Sequence, residues 1–233
     1  MPRRARLSVP GIPWHIIQRG NNRTACFYAD EDYRLYLEHL QELSSKFGCA
    51  VHAYVLMTNH VHLLLTPEKE ESAALLMKHL GQRYVQYVNR TYRRSGTLWE
   101  GRFRSCLAQS EDYVLACYRY IELNPVRANM ARHPREYRWS SYRANAEGRS
   151  NELLQPHDMY KRLGRSAESR HEAYRGLFKA HMDEGMMENI RAATNGNYVL
   201  GSRQFQEGIG QMLGRRVTKG RAGRPAKSVA RDE

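Results

Sequence analysis

The sequence predicts an α+β protein that begins with a ferredoxin-like unit, an antiparallel sheet with helices on one face, and ends in a helical, basic extension. Short β-rich runs alternate with helical segments in the order β-α-β-β-α-β-α, and the first six match the split βαβ arrangement. Apolar residues make up 41% of the 233 residues, which is enough for one good core. The region after about residue 150 is helical and polar, and it ends in a basic tail.

The first strand and helix are both clear in the sequence. PWHIIQR, residues 13–19, is typical of a strand and is followed by the polar turn GNNR. In residues 30–47, apolar side chains recur at the three- and four-residue spacing of a helix. Asp30 is predicted to be its N-cap, and Gly48 is predicted to stop it.

A hairpin and two further helices follow. VHAYVLM and HVHLLLT, residues 51–57 and 60–66, are separated only by Thr-Asn, which predicts adjacent strands. The acidic patch after Pro67 suits a helix N-terminus, and that helix is predicted from about residue 72 to 92. GTLWEGRFRSCLA supplies a fourth strand. A helix then begins with Ser110 as its N-cap and continues until Pro125 ends it.

The composition changes near residues 145–152, NAEGRSNE, which predicts a boundary. We therefore expect three parts: a first unit over 1–147, a helical accessory region over 148–213 and a basic disordered tail over 214–233. Within the second part, residues 186–213 are predicted to form a helix, a loop and a second helix with Ser202 as N-cap. The tail has six basic residues between Arg215 and Lys227 and no acidic one.

The charge of the chain indicates its class of partner. The net charge is +13, with arginine in excess, and arginine binds phosphate with two parallel hydrogen bonds. A nucleic-acid partner is the first hypothesis. An anionic membrane surface and a merely basic surface are the alternatives, but the sequence lacks a basic amphipathic helix with a Trp/Leu face.

The same sequence indicates a cytoplasmic protein without a membrane segment. No run approaches the about 20 apolar residues of a membrane span. The N-terminus is basic but has neither the apolar middle nor the cleavage site of a secretory signal. Four cysteines are scattered without a CxxC pair, which is typical of reduced, buried thiols.

The residues that suggest chemistry are in MTNHVHLLL and CYRYIELNPVRAN. On a strand, His60 and His62 point to the same side, so they are a natural half of a divalent-metal site. The alternative is two polar residues on the wet face of the strand. Tyr120 and Asn124 are four apart on one helical face. A tyrosine can attack a phosphodiester, and an amide oxygen with two histidines suits Mg²⁺ or Mn²⁺ engaged with phosphate.

The motifs together resemble a known family. HVH matches the His-hydrophobic-His (HUH) motif of single-strand DNA transferases. With RGNNR, MTNHVHLLL, LWEGRFRS, YRYIELNPVRA and WSSYRA, residues 1–145 resemble the REP-associated tyrosine transposases, relatives of the small single-strand insertion-sequence transposases. The segments LGS and GRRVTKGRAGRP are similar to the extension of longer members.

The resemblance implies a function and a set of site residues. The first unit would be an HUH catalytic domain in which His60, His62 and Asn124 bind the metal. Insertion-sequence relatives usually have glutamine where this chain has Asn124. Tyr120 would be the nucleophile and form a 5′-phosphotyrosine link to single-stranded DNA that carries palindromic hairpins. Tyr113 competes from two turns away, whereas Tyr118 should pack in the core and Glu122 should face away from Tyr120.

Several basic and polar residues are candidate DNA contacts, although a solvated surface position is an equal alternative for each. They are Arg19, Asn21, Arg23, Arg102, Arg104 and, in the tail, Arg215, Arg216, Arg221 and Arg224. The expected partner is single-stranded or hairpin DNA in the nucleoid, with no membrane; monomer and homodimer stay open. The alternative functions are a catalytically idle protein that binds palindromic repeats and a rolling-circle replication initiator.

Overall fold

The computed structural model of the chain describes residues 6–220. Its centre is a sheet in the order β2-β3-β1-β4-β5. The strands are β1 Trp14–Arg19, β2 Cys49–Met57, β3 His60–Pro67, β4 Arg104–Ala108 and β5 Val199–Leu200. The β2–β3, β3–β1 and β1–β4 pairs are antiparallel, as predicted, whereas β5 runs parallel to β4 and makes the sheet mixed.

Helices complete the architecture and confirm the α+β class. They are α1 Asp30–Lys46, α2 Ser72–Thr91, α3 Ser110–Glu122, α4 Asn124–Arg127, α5 Tyr142–Glu147, α6 Asp158–Lys161, α7 Ala167–Gly176, α8 Glu184–Gly196 and α9 Arg203–Leu213. Short 3-10 turns occupy Asn21–Arg23 and Pro134–Glu136. The bounds of α1 and α2 agree with the predicted helices within one residue at each end.

The first face of the sheet is covered by α1 and α2, which pack on each other. The apolar stripe of α1 is buried in one core with Trp14 and Ile16 of β1. Gly48 follows α1 with φ +61, the left-handed conformation that ends a helix, as predicted. The N-cap prediction was one position late: Ala29 is the N-cap, and Asp32 accepts hydrogen bonds from the backbone N–H groups of Tyr28 and Ala29.

The second face is also covered by helices, which corrects the expectation of helices on one face only. Val114, Cys117 and Ile121 of α3 pack in a second core with Val55 and Leu64 of the sheet. The helix α8 packs along β4 and reaches the same core through Ile190. The physical reason is visible in β2 and β3, whose continuous apolar runs are those of strands buried on both sides.

The C-terminal region packs on this sheet. β5, predicted to be loop, extends the sheet beside β4, and the backbone N–H of Val199 donates to the carbonyl of Val217, whose side chain is buried. The N-cap role of Ser202 is confirmed, since its Oγ accepts from the N–H of Phe205. Ser110, by contrast, is the first residue of α3 after the N-cap Gln109. The division into 1–147, 148–213 and 214–233 stays a prediction, and residues 221–233 of the predicted tail lie outside the described residues.

The four cysteines are free and buried in the two cores, as predicted. Burial raises the pKa of the Cys106 thiol to about 12, so this thiol is uncharged and unreactive at neutral pH. No helix in the part of the chain that the structure describes combines the length and the apolar character needed to cross a bilayer.

Candidate active site

The structure brings the four predicted catalytic and metal-binding residues to one cavity of about 280 Å³, on the sheet face that carries α3 and α8. His60, His62, Tyr120 and Asn124 all line it. Further lining residues were not predicted from the sequence: His15, Arg127, Arg191, Thr194 and Asn195. The cavity is therefore built by β1, β3 and the C-terminal end of α3, and α8 closes it from the other side.

The two histidines of the HVH motif are placed by the two-residue period of β3. Their ring centroids are 5.1 Å apart. Burial, followed by the charges of Arg19 and Arg127, lowers the pKa of His60 to about 4. Burial also lowers the pKa of His62 well below its ordinary value. Both imidazoles are therefore neutral at physiological pH, which is the form that ligates a metal.

Each of these rings is held by a hydrogen bond on its Nδ1 side. Nδ1 of His60 lies 2.6 Å from Oδ1 of Asn59, whose amide nitrogen in turn donates to the carbonyl of Arg23. Nδ1 of His62 lies 2.8 Å from Nε2 of His15, and these two rings stack with centroids 5.0 Å apart. The Nε2 atoms of His60 and His62 make no protein hydrogen bond within residues 6–220.

Tyr120 stands at the end of α3 beside the histidines. Its ring centroid is 5.8 Å from that of His62 and 5.6 Å from that of His15, and the ring is edge-on to both. α3 ends two residues later, because Pro125 begins the separate short helix α4. Tyr118 is fully buried in the core, as predicted, and Tyr113 lines a different cavity, so Tyr120 is the tyrosine that the fold brings to the histidines.

Asn124 is held with its amide nitrogen turned to the backbone. Nδ2 donates to the carbonyls of Tyr120 and Ile121 at 3.0 and 3.1 Å. These bonds satisfy the last carbonyls of α3 and leave the amide oxygen as the atom that can act as a ligand.

Arg127 brings a cation to Tyr120. Its Cζ lies 4.1 Å from the centroid of the Tyr120 ring, and Nη2 donates to the Tyr120 carbonyl at 2.8 Å. Nη1 is buried and has no hydrogen-bond partner within the described residues. Burial lowers the pKa of Arg127. A buried donor without an acceptor costs about 1–3 kcal/mol, so this geometry is suited to an anion that enters the cavity.

Glu122 faces away from Tyr120, as predicted. Its buried carboxylate accepts hydrogen bonds from Ser141, Asn145 and Tyr174. Burial outweighs these bonds and raises the pKa of Glu122 to about 7. Glu122 thus ties α3 to α5 and α7, and it cannot reach the Tyr120 hydroxyl as a general base.

Three of the predicted DNA contacts lie in or next to this cavity. Arg19 lines the cavity itself. Arg102 and Arg104 line a neighbouring cavity of about 370 Å³ with Arg6 and Asn195, and a narrow cavity lined by Arg19, Arg102, Arg104 and Asn195 shares residues with both. The exposed Glu100 also lines the neighbouring cavity and the narrow one. We name Arg6, Arg19, Arg102, Arg104 and Asn195 the basic groove. Phe103 packs under Arg6, between the exposed Arg102 and Arg104.

The other predicted DNA contacts are more dispersed. Asn21 and Arg23 lie in the turn after β1, where Arg23 is exposed and has φ +59. Arg215 donates to the carbonyl of Arg6 and so reaches the basic groove, whereas Arg216 is exposed. Arg221 and Arg224 lie outside the described residues.

The donor chemistry of the cavity fits a divalent cation with open positions for substrate. Two neutral imidazoles and one amide oxygen converge on a space that also carries an unpaired guanidinium N–H. Among residues 6–220, no group of three or more histidine, cysteine, aspartate or glutamate side chains is arranged to hold a metal. The candidate set differs from such a group because its third donor is the amide of Asn124.

His15, Arg127 and Thr194 are the functional candidates that sequence reasoning missed. Arg127 had a signal, because it lies seven residues, two helical turns, after Tyr120. His15 also had a signal, as a polar residue within the apolar run of β1. Thr194 had none, since its contact with His15 spans 179 residues of sequence.

Comparisons with known proteins give the family and the fold. Residues 8–124 match the family model described as IS200-like transposase. One solved structure, a REP-associated tyrosine transposase bound to a REP hairpin, is similar with a TM-score of 0.56 and 16% identity over 67% of this chain and 93% of that chain. A second, a candidate transposase from Deinococcus radiodurans R1, has a TM-score of 0.37 and 23% identity over 52% of this chain and 96% of that one. No curated protein matches the sequence.

Proposed function

Because the chain belongs to the IS200-like transposase family, we propose that it cleaves and rejoins single-stranded DNA at repetitive palindromic hairpins through a covalent tyrosine intermediate. Family membership establishes the DNA-cleaving transposase class, whereas the substrate and the residues are the proposal. The observation that carries it is the convergence of Tyr120 with His60, His62 and Asn124 on one cavity. The REP hairpin held by a protein of similar fold supports the choice of DNA.

The proposed reaction is a transesterification. The phenol of Tyr120 gives its proton to solvent, and its oxygen attacks the scissile phosphorus and displaces the 3′-oxygen of the preceding nucleotide, so one P–O bond forms as another breaks. The product is a 5′-phosphotyrosine and a free 3′-hydroxyl, which takes its proton from solvent. Because the phosphodiester is exchanged and not hydrolysed, a second 3′-hydroxyl can attack the link and join strands.

We assign the metal site to His60, His62 and Asn124. Their neutral imidazoles and the outward amide oxygen suit a divalent cation, with Mg²⁺ and Mn²⁺ the proposed ions. When bound there, such an ion supplies Lewis-acid polarisation of the non-bridging phosphate oxygens.

Arg127 is proposed to bind the scissile phosphate. Arg127 lines the cavity with its Cζ 4.1 Å from the Tyr120 ring centroid, and its buried Nη1 has no hydrogen-bond partner within the described residues, so a non-bridging oxygen would satisfy it. A fixed donor aimed at developing negative charge stabilises the transition state more than the ground state. Arg127 therefore completes the proposed catalytic set beside Tyr120.

The basic groove is proposed as the path of the single strand. Arg104, Ile17 and His62 lie in one row across β4, β1 and β3, so the groove continues directly into the catalytic cavity. Guanidinium groups along this row would bind successive phosphates. The remaining predicted residues are proposed as outer contacts to the hairpin backbone: Asn21, Arg23, Arg215, Arg216, Arg221 and Arg224.

A covalent-trapping experiment tests the proposal. Single-stranded oligonucleotides from palindromic repeats that flank the gene are incubated with the protein in Mg²⁺, Mn²⁺ or EDTA and run on a denaturing gel. We expect a metal-dependent protein–DNA adduct that is lost in Tyr120→Phe. Tyr113→Phe is the matched control, because Tyr113 is on the same helix but lines another cavity, and it should keep the adduct.

The contrary result is equally definite. Tight hairpin binding with no adduct, in every metal and with every oligonucleotide, would identify a catalytically idle protein that binds palindromic repeats. An adduct that survives in Tyr120→Phe and is lost in Tyr113→Phe would show that the nucleophile is Tyr113 and not Tyr120.

A further inference from the structure

We propose that the helix α8 fixes the tautomer of His62 through Thr194 and His15, so that His62 presents a bare Nε2 to the catalytic cavity. Thr194 and His15 are positioning residues in this proposal, since neither is a metal ligand. The inference rests on the proposed function for what Nε2 binds. The tautomer itself is a property of the protein alone.

The four groups form an unbroken chain of hydrogen bonds from a helix backbone to the cavity. Oγ1 of Thr194 lies 2.7 Å from the carbonyl oxygen of Ile190, one turn earlier in α8. Nδ1 of His15 lies 2.9 Å from Oγ1 of Thr194. Nε2 of His15 lies 2.8 Å from Nδ1 of His62.

The direction of every bond follows from the first one. The hydroxyl of Thr194 donates its single proton to the carbonyl of Ile190, and the Cys106 thiol, whose Sγ lies 3.3 Å from Oγ1 of Thr194, can donate to the same oxygen. Oγ1 of Thr194 must then accept from His15, which places the His15 proton on Nδ1. Nε2 of a neutral His15 is consequently an acceptor, and it can only accept from Nδ1–H of His62.

Burial keeps His15 neutral and closes the alternative. A charged His15 would donate at both nitrogens and reverse the bond to His62. His15 is 1% exposed and, within the described residues, its ring hydrogen-bonds to Thr194 and His62. One arrangement of the chain is consistent with a neutral His15 and a Thr194 hydroxyl that donates to Ile190.

The same logic holds independently for His60. The amide nitrogen of Asn59 donates to the carbonyl of Arg23, so its oxygen faces Nδ1 of His60 and makes that nitrogen the donor. Both histidines of the HVH motif thus carry their proton on Nδ1 and keep the Nε2 lone pair free. Both tautomers are therefore fixed by residues outside the HVH motif. For His62, the residue that fixes it is Thr194, in the C-terminal region.

This assigns a role to a segment beyond the matched family region. The family match ends at residue 124, and Thr194 lies 70 positions later. α8 packs on β4 and places Thr194 against His15 of the neighbouring strand. The C-terminal region is accordingly part of the catalytic centre as well as a candidate contact for DNA.

The test compares Thr194→Val with Thr194→Ser in the full chain. Valine keeps the shape but removes the hydroxyl, whereas serine keeps it. Two-bond ¹H–¹⁵N correlation spectra of metal-free, histidine-labelled protein report the tautomer, with the His62 signals assigned from their loss in His62→Gln. We expect His62 as Nδ1–H in the native protein and in Thr194→Ser, and a mixture of tautomers in Thr194→Val.

Metal affinity gives the second reading. Mn²⁺ titration by calorimetry should show affinity lowered about 10- to 100-fold in Thr194→Val, the range for loss of a group that orients a ligand, and restored in Thr194→Ser. Thr66→Val is the matched control, because it removes a threonine hydroxyl from a different buried histidine, His52, away from the cavity. It should leave both readings unchanged.

The outcomes separate this inference from the proposed function. Nε2–H at His62 in the native protein, or unchanged tautomer and Mn²⁺ affinity in Thr194→Val, would overturn the inference. Nδ1–H at His62 together with no Mn²⁺ binding by the native protein would support the tautomer assignment and overturn the proposed metal site.

Discussion

At the scale of single residues, the cavity carries one buried donor without a hydrogen-bond partner among the described residues. That donor belongs to Arg127, in which one guanidinium nitrogen is used on the Tyr120 carbonyl and another is left without an acceptor. A folded chain tolerates such a cost where a ligand later removes it. The orphan donor is therefore a better guide to the substrate's position than the exposed arginines are.

Arg127→Lys tests this reading. Lysine keeps the charge but loses the planar fork that spans the Tyr120 carbonyl and the phosphate. We expect single-turnover cleavage to fall about 10²-fold, the lower end for loss of one transition-state donor, with hairpin affinity changed less than about threefold because the basic groove is intact. Arg191→Lys is the control, as Arg191 lines the same cavity but is exposed. Equal cleavage rates in the two variants would contradict the assignment.

The sequence predicts those site residues whose relation is local. His60 and His62 are two apart on a strand, and Tyr120 and Asn124 are four apart at a helix end, so simple periods place each pair on one side of its element. The approach of the two pairs to each other follows from how α3 crosses the sheet. The contact of Thr194 with His15 depends on tertiary packing across 179 residues, and no local period carries it.

At the scale of elements, the end of α8 is fixed to the sheet by one side chain. Asn197 is the C-cap with φ +52, a left-handed conformation that asparagine tolerates better than most residues. Its Oδ1 also accepts a hydrogen bond from the backbone N–H of Ser105 in β4. This bond fixes the position of the helix that carries Thr194. Only Tyr198 separates Asn197 from the start of β5.

Replacing Asn197 separates its two contributions. Asn197→Gly keeps the backbone conformation and loses the bond to Ser105, so we expect a loss of about 1 kcal/mol in the free energy of unfolding. Asn197→Ala adds the left-handed strain and should lose about 2–3 kcal/mol. Urea unfolding measures both values. Asn129 is exposed and also has a positive φ, so Asn129→Gly should leave the free energy of unfolding unchanged. An equal loss in Asn197→Gly and Asn129→Gly would exclude a specific role for the bond to Ser105.

The elements that sequence patterns missed are those that packing creates. α1, α2, the hairpin and α3 have periodic apolar faces, and their bounds were predicted closely. β5 has two residues, too few to show alternation, and it is a strand because β4 offers a free edge. The second helical face had a signal that the prediction did not use, because the continuous apolar runs of β2 and β3 are those of strands buried on both sides.

At the scale of the whole molecule, the net charge of +13 is the property that governs encounter with DNA. The basic groove concentrates part of this charge beside the catalytic cavity, while other arginines are neutralised in surface ion pairs such as Arg34 with Glu31. Charge alone indicated a polyanionic partner but not where it binds. The groove does not follow from composition because its residues come from β1, β4, the segments that precede them and α8.

Salt dependence measures this localisation. For single-stranded DNA, each phosphate contact contributes about 0.7 to the slope of log affinity against log salt concentration. We expect the double variant Arg102→Gln and Arg104→Gln to lower the slope by about 1.4, measured by fluorescence anisotropy with a labelled oligonucleotide. The double variant Arg34→Gln and Arg83→Gln removes the same charge from ion-paired surface sites and should leave the slope unchanged. Equal changes in both would show that binding senses net charge alone.

The closure of the cavity by α8 also sets when the catalytic centre can exist. During synthesis, Tyr120 and the HVH motif emerge from the ribosome long before Thr194, so a nascent chain that already contains every proposed metal ligand still lacks the contact that fixes His62. Contacts this distant in sequence form late in folding. Under the proposed function, we therefore expect full metal affinity only once almost all of the described chain has been made and folded.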